Sequence, residues 1–229
     1  MTFISAYNQG LYLSIQPLSP MKLSKEERAE KLLAQWGQSP GNQQYLKKIL
    51  SSAAPAQIIH QRLSALECFT ALLIRHLPGA EGYLTLFRDE RGRPFVRWNT
   101  SGLPPMDFNI SHTKQYVGST ILIGEHHVGL DIEDIMPESK AIALGQRYFS
   151  EEEKQLLNTS SQKNVTATLI WTAKEALSKQ NGGGYPLSFD SRGYPADLVL
   201  HQGFAGNTAV YTVCAPAAYG QPIFDDHSL

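Results

Sequence analysis

Val128-Gly129-Leu130-Asp131-Ile132-Glu133 and, downstream, Trp171-Thr172-Ala173-Lys174-Glu175-Ala176-Leu177-Ser178-Lys179 are the stretches whose reading decides the fold. The first reads as a strand, because β-branched and apolar residues alternate with acids. Residues two apart on a strand share a face, so Asp131 and Glu133 point one way and Leu130 and Ile132 the other. Two carboxylates side by side repel each other unless a cation lies between them. Hard divalent cations such as Mg²⁺ take oxygen ligands, commonly one or two carboxylates together with water and substrate phosphates. The second stretch reads as a helix on which Glu175 can supply a third oxygen. Lys174 and Lys179 would bring positive charge to a bound phosphate. A plainer alternative stands beside this one: Glu175 and Lys179, four residues apart, could be an exposed helix ion pair worth about 0.3–0.5 kcal/mol.

Composition bounds the answer. The chain has 229 residues, enough for one large domain or two small ones with a sizeable core. With 42% hydrophobic and 18% charged residues it is ordinary for a globular protein. A formal net charge of -1 gives no global field for nucleic acid or an acidic membrane, so a phosphate site must be a local cluster. Cys68 and Cys214 lie far apart without metal-ligand spacing and read as reduced core residues. Residues 1–10 lack a basic region followed by an apolar run, so no signal peptide is expected. No apolar run approaches the roughly 20 residues that cross a bilayer. A cytoplasmic protein is the expectation.

Outward from the central stretches, Leu11 to Ile15 alternates as a first strand. Ser24-Lys25-Glu26-Glu27 is a capping-box pattern, and a helix should run toward Trp36, broken by Ser39-Pro40-Gly41-Asn42. A short helical stretch from Tyr45 to Leu50 carries Lys47 and Lys48. Pro55 opens a long helix toward Leu77 with a broad apolar stripe. Arg62 lies within it, and by spacing alone is a solvated charge. Tyr83 to Phe87 alternates as a strand, and Arg91-Gly92-Arg93-Pro94 is a turn bearing two guanidinium groups. Those arginines are either solvated or grip a phosphate. Met106 to Ile110 reads as a strand running into Asn109-Ile110-Ser111-His112-Thr113. A Ser-His pair alone is weak, and no Gly-x-Ser-x-Gly elbow surrounds Ser111, so a serine hydrolase is excluded.

Gln115 to Ile123 is another strand, and Gly124-Glu125-His126-His127 is a turn that should make a hairpin with the Asp131 strand. The adjacent histidines lack partners at metal-ligand spacing and read as a solvated turn. Helices are expected from Glu138 to Phe149 and from Ser150, where Glu153 completes a capping box. The key helix should end at Gly182-Gly183-Gly184. Leu187 to Phe189, Leu198 to His201 and Ala209 to Cys214 read as strands, and Tyr219 to Leu229 as a polar, poorly ordered tail. Each half repeats, coarsely, helix followed by strands, with the join near Gly124 to His127.

At these residues the chain resembles the 4′-phosphopantetheinyl transferases, in their larger surfactin-synthetase-activating branch. That family carries a Gly-x-Asp-x-Glu strand and a Trp/Phe-x-x-Lys-Glu-x-x-x-Lys helix, here Gly129 to Glu133 and Trp171 to Lys179. Phe108 to Thr113 is similar to its Phe-Asn-Ile-Ser-His-Ser segment, with threonine at the last place. Arg91 to Pro94 stands where members commonly have Lys-Gly-Lys-Pro; arginine keeps the charge and adds a planar fork for phosphate. The match covers roughly Arg62 to Phe189.

The resemblance implies an α+β fold of two similar lobes about a pseudo-twofold axis. Residues 1–126 would form an N-terminal lobe contacting the nucleotide and phosphates of CoA. Residues 127–229 would form a C-terminal lobe with the metal site and catalytic helix. It implies transfer of 4′-phosphopantetheine from CoA, the co-substrate, to a serine of an apo acyl or peptidyl carrier protein, releasing 3′,5′-ADP. Asp131, Glu133 and Glu175 would hold Mg²⁺, or Mn²⁺ in its place. Glu175 would accept the serine proton, Lys179 would stabilise the leaving phosphate and Lys174 would hold a phosphate oxygen. Glu153 matches an acid of the family's Phe-Ser-x-x-Glu pattern near the metal. Ser111, His112, Arg91, Arg93 and Pro94 would contact CoA, and Arg62 with Lys47 or Lys48 would meet its 3′-phosphate. The expected protein is a monomer without nucleic-acid or membrane partners. Two other readings use the same residues: a Mg²⁺-dependent pyrophosphohydrolase acting on CoA-like substrates, and a non-catalytic CoA-binding module.

Overall fold

Ser24 shows how local chemistry sets the first helix. Its hydroxyl accepts from the Glu27 N–H while the Glu27 carboxylate accepts from the Ser24 N–H, a closed capping box. Ser150 and Glu153 repeat the arrangement. The computed structural model describes residues 9–182 and 195–225. The strand expected at Leu187 to Phe189 lies outside them.

The elements run β1 (Gly10–Pro17), α1 (Lys25–Trp36), α2 (Pro40–Leu50), α3 (Ala56–His76), β2 (Leu84–Arg88), β3 (Pro94–Trp98), β4 (Met106–His112), β5 (Tyr116–Ile123), β6 (Gly129–Asp134), α4 (Glu138–Tyr148), α5 (Glu151–Thr159), α6 (Lys163–Gln180), β7 (Leu198–Ala205), β8 (Ala209–Pro216) and β9 (Ile223–Phe224). This is an α+β protein. Its sheets have the orders β4-β5-β1-β9, β2-β3 and β6-β8-β7. None of the helices among the described residues is long and apolar enough to cross a membrane.

Ser39-Pro40-Gly41-Asn42 separates two helices as expected: α1 ends at Trp36, Ser39 caps α2, and Pro40 sits in its first turn, where its missing N–H costs nothing. Two expectations need correction. The turn after β5 does not make a hairpin with β6. β5 pairs with β1 and β4, whereas β6 pairs with β8 in another sheet. The tail is also anchored as far as Asp225, the last described residue: Ile223 and Phe224 pair in parallel with Tyr12 and Leu13, and buried Asp225 meets Arg75 and His76.

β4 faces both ways. Phe108 stacks on Phe69 of α3, with ring centroids 4.2 Å apart, inside a core built from α1, α2, α3, β4 and β5. A second core lies between the two larger sheets, where Leu130 and Ile132 of β6 meet Leu11, Leu13 and Leu122. On the opposite side of β4, Asp107, Asn109 and Ser111 reach the free edge of β6. The N–H groups of Val128, Leu130 and Ile132 donate to Asp107 Oδ2 (2.8 Å), Asn109 Oδ1 (3.4 Å) and Ser111 Oγ (3.1 Å). Side chains thus replace the missing strand ladder, since buried backbone donors need partners.

Carbonyls of the same edge are capped from the other direction. Arg93 donates to Val128 O at 3.1 Å and Lys179 to Leu130 O at 3.0 Å. Arg93 also forms a bidentate pair with Asp107 and donates to Lys179 O. His127 approaches Asp107 Oδ2 at 3.4 Å. Burial works against the Asp107 carboxylate, but hydrogen bonds from His127, Arg93 and the Val128 N–H outweigh it and hold its pKa below the ordinary range.

Asp107→Ala takes the carboxylate from the half-buried Arg93 and the acceptor from the Val128 N–H, and should cost about 1–3 kcal/mol in urea unfolding. Because the folded pKa is depressed, Asp107 stabilises above its unfolded pKa, and that stability is lost as pH falls through the folded value. Asp107→Asn should therefore flatten the acid limb of the stability profile; an unchanged limb would show that Asp107 carries no such linkage.

Candidate functional site

Gly129 decides how the central helix approaches the central strand. A Cβ there would lie 1.9 Å from Ala176 O and 2.7 Å from Gln180 N, so only glycine lets α6 come this close. Asp131 and Glu133 follow on the same face of β6 and are brought against α6. Lys179 closes the contact: its Nζ lies 2.6 Å from Asp131 Oδ1 and 3.4 Å from Ser111 Oγ. Ser111 in turn donates to Asp131 Oδ1 at 3.2 Å. The ion pair formed by Lys179 is therefore with Asp131 of the strand, rather than with Glu175 of its own helix.

Asp131 is 5% exposed, and its second oxygen, Oδ2, is buried without a hydrogen-bond partner. Burial pushes the Glu133 carboxyl up, and Asp131 and Glu175 push it further, against the pull of Lys140 and Lys179. Burial likewise raises Glu175, helped by Asp131 and opposed by Lys179. His112 is held down, first by burial and then by the charges of Lys179 and Arg62, so its imidazole is neutral near pH 7. Ser111, His112, Asp131, Glu133, Glu175, Lys179 and Arg62 thus feel one another across the junction of β4, β6, α3 and α6.

The acids suit a hard cation by their chemistry: an orphaned buried carboxylate oxygen beside two carboxyls raised by burial and repulsion. They are not drawn into a closed shell, since among the described residues no group of three His, Cys, Asp or Glu side chains is placed to hold an ion.

A pocket of about 260 Å³ opens beside this cluster. Arg91, Pro94, Asn109, Ser178 and Lys179 are among its walls. Arg91 spans to Gly182 O at 2.9 Å and keeps an exposed side chain. Arg93 borders the pocket but is not free to grip a phosphate. Its Nε donates to Lys179 O and its Nη atoms to Asp107 and Val128 O, so it fastens the two sheets. Lys47 and Lys48 are exposed in the last turn of α2.

Lys174 departs furthest from expectation. It is fully buried, with its Nζ 2.9 Å from Glu153, itself 1% exposed, and its ammonium over the Phe149 ring at 5.9 Å. Its side chain is spent inside the helical layer of α5 and α6, so a phosphate contact by Lys174 is ruled out in this geometry. Glu153 combines the capping box with this pair. Residues missed in the sequence reading include Asp107 and Lys140. Asp107 sits at the first position of the i, i+2, i+4 polar series with Asn109 and Ser111, which could have exposed it.

Lys174→Met should lose about 3–5 kcal/mol by removing the cation beside a buried carboxylate, and adding Glu153→Gln should recover most of it, because the amide keeps the cap. Chemical denaturation of both variants decides this; a double variant no more stable than the single would contradict a structural pair.

Residues 127–211 match the family model described as the 4′-phosphopantetheinyl transferase superfamily. The chain is 32% identical over 104 residues to a 4′-phosphopantetheinyl transferase of Bacillus subtilis, covering 44% of this chain and 43% of that protein. It is 34% identical over 102 residues to 4′-phosphopantetheinyl transferase psf-1 of Bacillus pumilus, covering 44% and 40%. It is 32% identical over 134 residues to 4′-phosphopantetheinyl transferase AcpT of Salmonella typhi, covering 57% and 66%. The chain therefore spans 43%, 40% and 66% of the length of these curated relatives. Gly129 to Glu133 and Trp171 to Lys179 lie inside the matched region, and through residues 127–211 the chain is similar to the 4′-phosphopantetheinyl transferase superfamily.

Proposed function

We propose that this protein transfers the 4′-phosphopantetheine arm of CoA to a serine hydroxyl of an apo acyl or peptidyl carrier protein, as a member of the larger surfactin-synthetase-activating branch. The observation that carries the reading is the contact of Lys179 with Asp131 and Ser111, beside raised Glu133 and Glu175 and an open pocket. The names of the relatives support it. Residues 1–126 would act as the CoA-contacting lobe and residues 127–229 as the catalytic lobe, although β9 returns to the first sheet.

The carrier serine oxygen would attack the phosphorus bearing the pantetheine arm, and the P–O bond to 3′,5′-ADP would break. Glu175 would accept the serine proton, directly or through water. Lys179 would move its charge, or a proton, to the leaving phosphate. Neutral His112 would donate a hydrogen bond to a phosphate oxygen, and Ser111 would do so on turning its single O–H from Asp131 to the phosphate. Arg62 would meet the 3′-phosphate, and Arg91 would flank the pocket. Arg93, Glu153 and Lys174 are positioning residues in this scheme. Asp131, Glu133 and Glu175 would hold Mg²⁺ or Mn²⁺, which when bound neutralises charge on the pyrophosphate. The protein would work in the cytoplasm as a monomer, without nucleic acid or membrane.

Incubation with CoA, Mg²⁺ and a panel of apo carrier proteins, read by intact mass, should show addition of the phosphopantetheine arm. CoA cleavage without a carrier would move the reading to a pyrophosphohydrolase, and CoA binding without turnover to a binding module. The metal assignment has its own readout. Mg²⁺ at ~100 times its Kd should stabilise the wild-type protein by about 2.7 kcal/mol, with a matching rise in Tm. Asp131→Ala should abolish that rise; an undiminished rise would place the cation elsewhere.

A further inference from the structure

The turn Thr113-Lys114-Gln115 joins β4 to β5 directly after His112. Thr113 closes it: its N–H donates to Tyr116 O at 2.8 Å, and its Oγ1 accepts from the N–H groups of Gln115 and Tyr116. The peptide linking Thr113 to Lys114 is then held from outside at both ends. Gln61 of α3, 2% exposed, donates from Nε2 to Thr113 O at 2.6 Å. The Lys114 N–H donates to Asp134 Oδ2 of β6 at 3.4 Å. The C=O and N–H of a trans peptide point in opposite directions, so α3 and β6 grip one rigid plane from its two sides. Both gripping side chains leave an atom unsatisfied: Gln61 Oε1 and Asp134 Oδ1 are buried without a hydrogen-bond partner among the described residues. A methionine at position 61 would fill the same space without that orphaned oxygen. What the amide supplies instead is a donor at a fixed place.

One residue, Thr113, separates the gripped peptide from His112. Thr113 is itself fixed within the turn, so the grip passes to the His112 backbone. The segment is fixed at its other end by Ser111, whose Oγ accepts from the Ile132 N–H. We propose that Gln61 and Asp134 are positioning residues that clamp the Thr113–Lys114 peptide and thereby hold the His112 imidazole toward the phosphates of CoA. The assignment rests on the reading of His112 as a phosphate ligand. The sequence neighbours of the two clamping residues give it reach. Gln61 precedes Arg62 and Asp134 follows Glu133. The arginine of α3, the donor of β4 and the acid of β6 are thus set against one another through a single peptide.

The test measures CoA binding by calorimetry, carrier modification by intact mass, and melting temperature, all on the full chain. Gln61→Met keeps the volume and removes the donor. It should weaken CoA binding and raise the KM for CoA on the order of tenfold, the scale of a lost hydrogen bond to a charged group, with kcat changed less than about twofold. His112→Ala should lose as much, and the double variant no more than His112→Ala alone, because Gln61 acts through His112. Asp134→Ala should weaken CoA by about threefold, and Asp134→Asn, which keeps an acceptor but not the charge, should restore most of that loss. Additive losses in the double variant, or a lower melting temperature with CoA affinity intact, would overturn the clamp. A readout without ligand separates the clamp from the transferase reading. Burial and the charges of Lys179 and Arg62 hold the His112 pKa down, against the pull of Asp131. In Gln61→Met the ring loses that setting, and proton NMR should show its imidazole titrating at higher pH. An unmoved titration in Gln61→Met, with a wild type that modifies carriers, removes the clamp and leaves the transferase. A raised titration, with a wild type that modifies no carrier, keeps the hold on His112 and removes the transferase.

Discussion

Among the described residues the outward edge of β6 has no neighbouring strand, and the rest of the structure depends on how that edge is satisfied. An edge of unpaired N–H and C=O groups buried against another sheet would be costly, each group losing its water. Here β4 lends the side chains of Asp107, Asn109 and Ser111 as acceptors, and Arg93 and Lys179 serve as donors. The strand alternation of β4 makes this possible. Phe108 and Ile110 belong to the core under α3, so the polar residues between them are turned to the opposite face. A backbone ladder would have fused the sheets into one surface. Side chains instead hold them close while leaving polar atoms along the seam.

That seam is where the chemistry collects. Ser111 accepts from the Ile132 N–H and touches Asp131 and Lys179, so an edge-capping residue is also a site residue. Lys179 caps Leu130 O and neutralises one oxygen of Asp131. The other oxygen stays unpaired, and its charge helps lift Glu133 and Glu175. Gly129 sets the spacing, because α6 passes too close for any side chain at that position. The buried Lys174–Glu153 pair then fixes α5 to α6 behind the site. The residues that hold the seam together are those to which the proposed reaction gives roles, so substitutions along it would mix loss of stability with loss of the proposed activity.

Features with local causes were legible in the sequence. The capping boxes at Ser24 and Ser150, the glycine stop at Gly182, and the shared face of Asp131 and Glu133 depend on neighbours within a turn or a strand. Features with distant causes were not. Gly124 to His127 signals a turn, but nothing in it says whether the next strand joins the same sheet. The pairing of Ile223 with Tyr12 joins opposite ends of the chain. Arg93 looked like a phosphate ligand because its partner, Asp107, lies beyond a strand and a loop. Lys174 looked catalytic because the motif places it beside Glu175, yet adjacent helical residues point in different directions, and its direction is inward.

Residue-resolved amide hydrogen exchange tests the central claim most directly, because it reads the capped edge of β6 without reference to activity. The amides of Val128, Leu130 and Ile132 face side chains of β4, while those of Gly129 and Asp131 face β8. If side chains truly replace the ladder, all five should exchange through the same global opening, with similar protection. Rapid exchange at Val128, Leu130 and Ile132, with Gly129 and Asp131 still protected, would show an edge open to water and contradict the account.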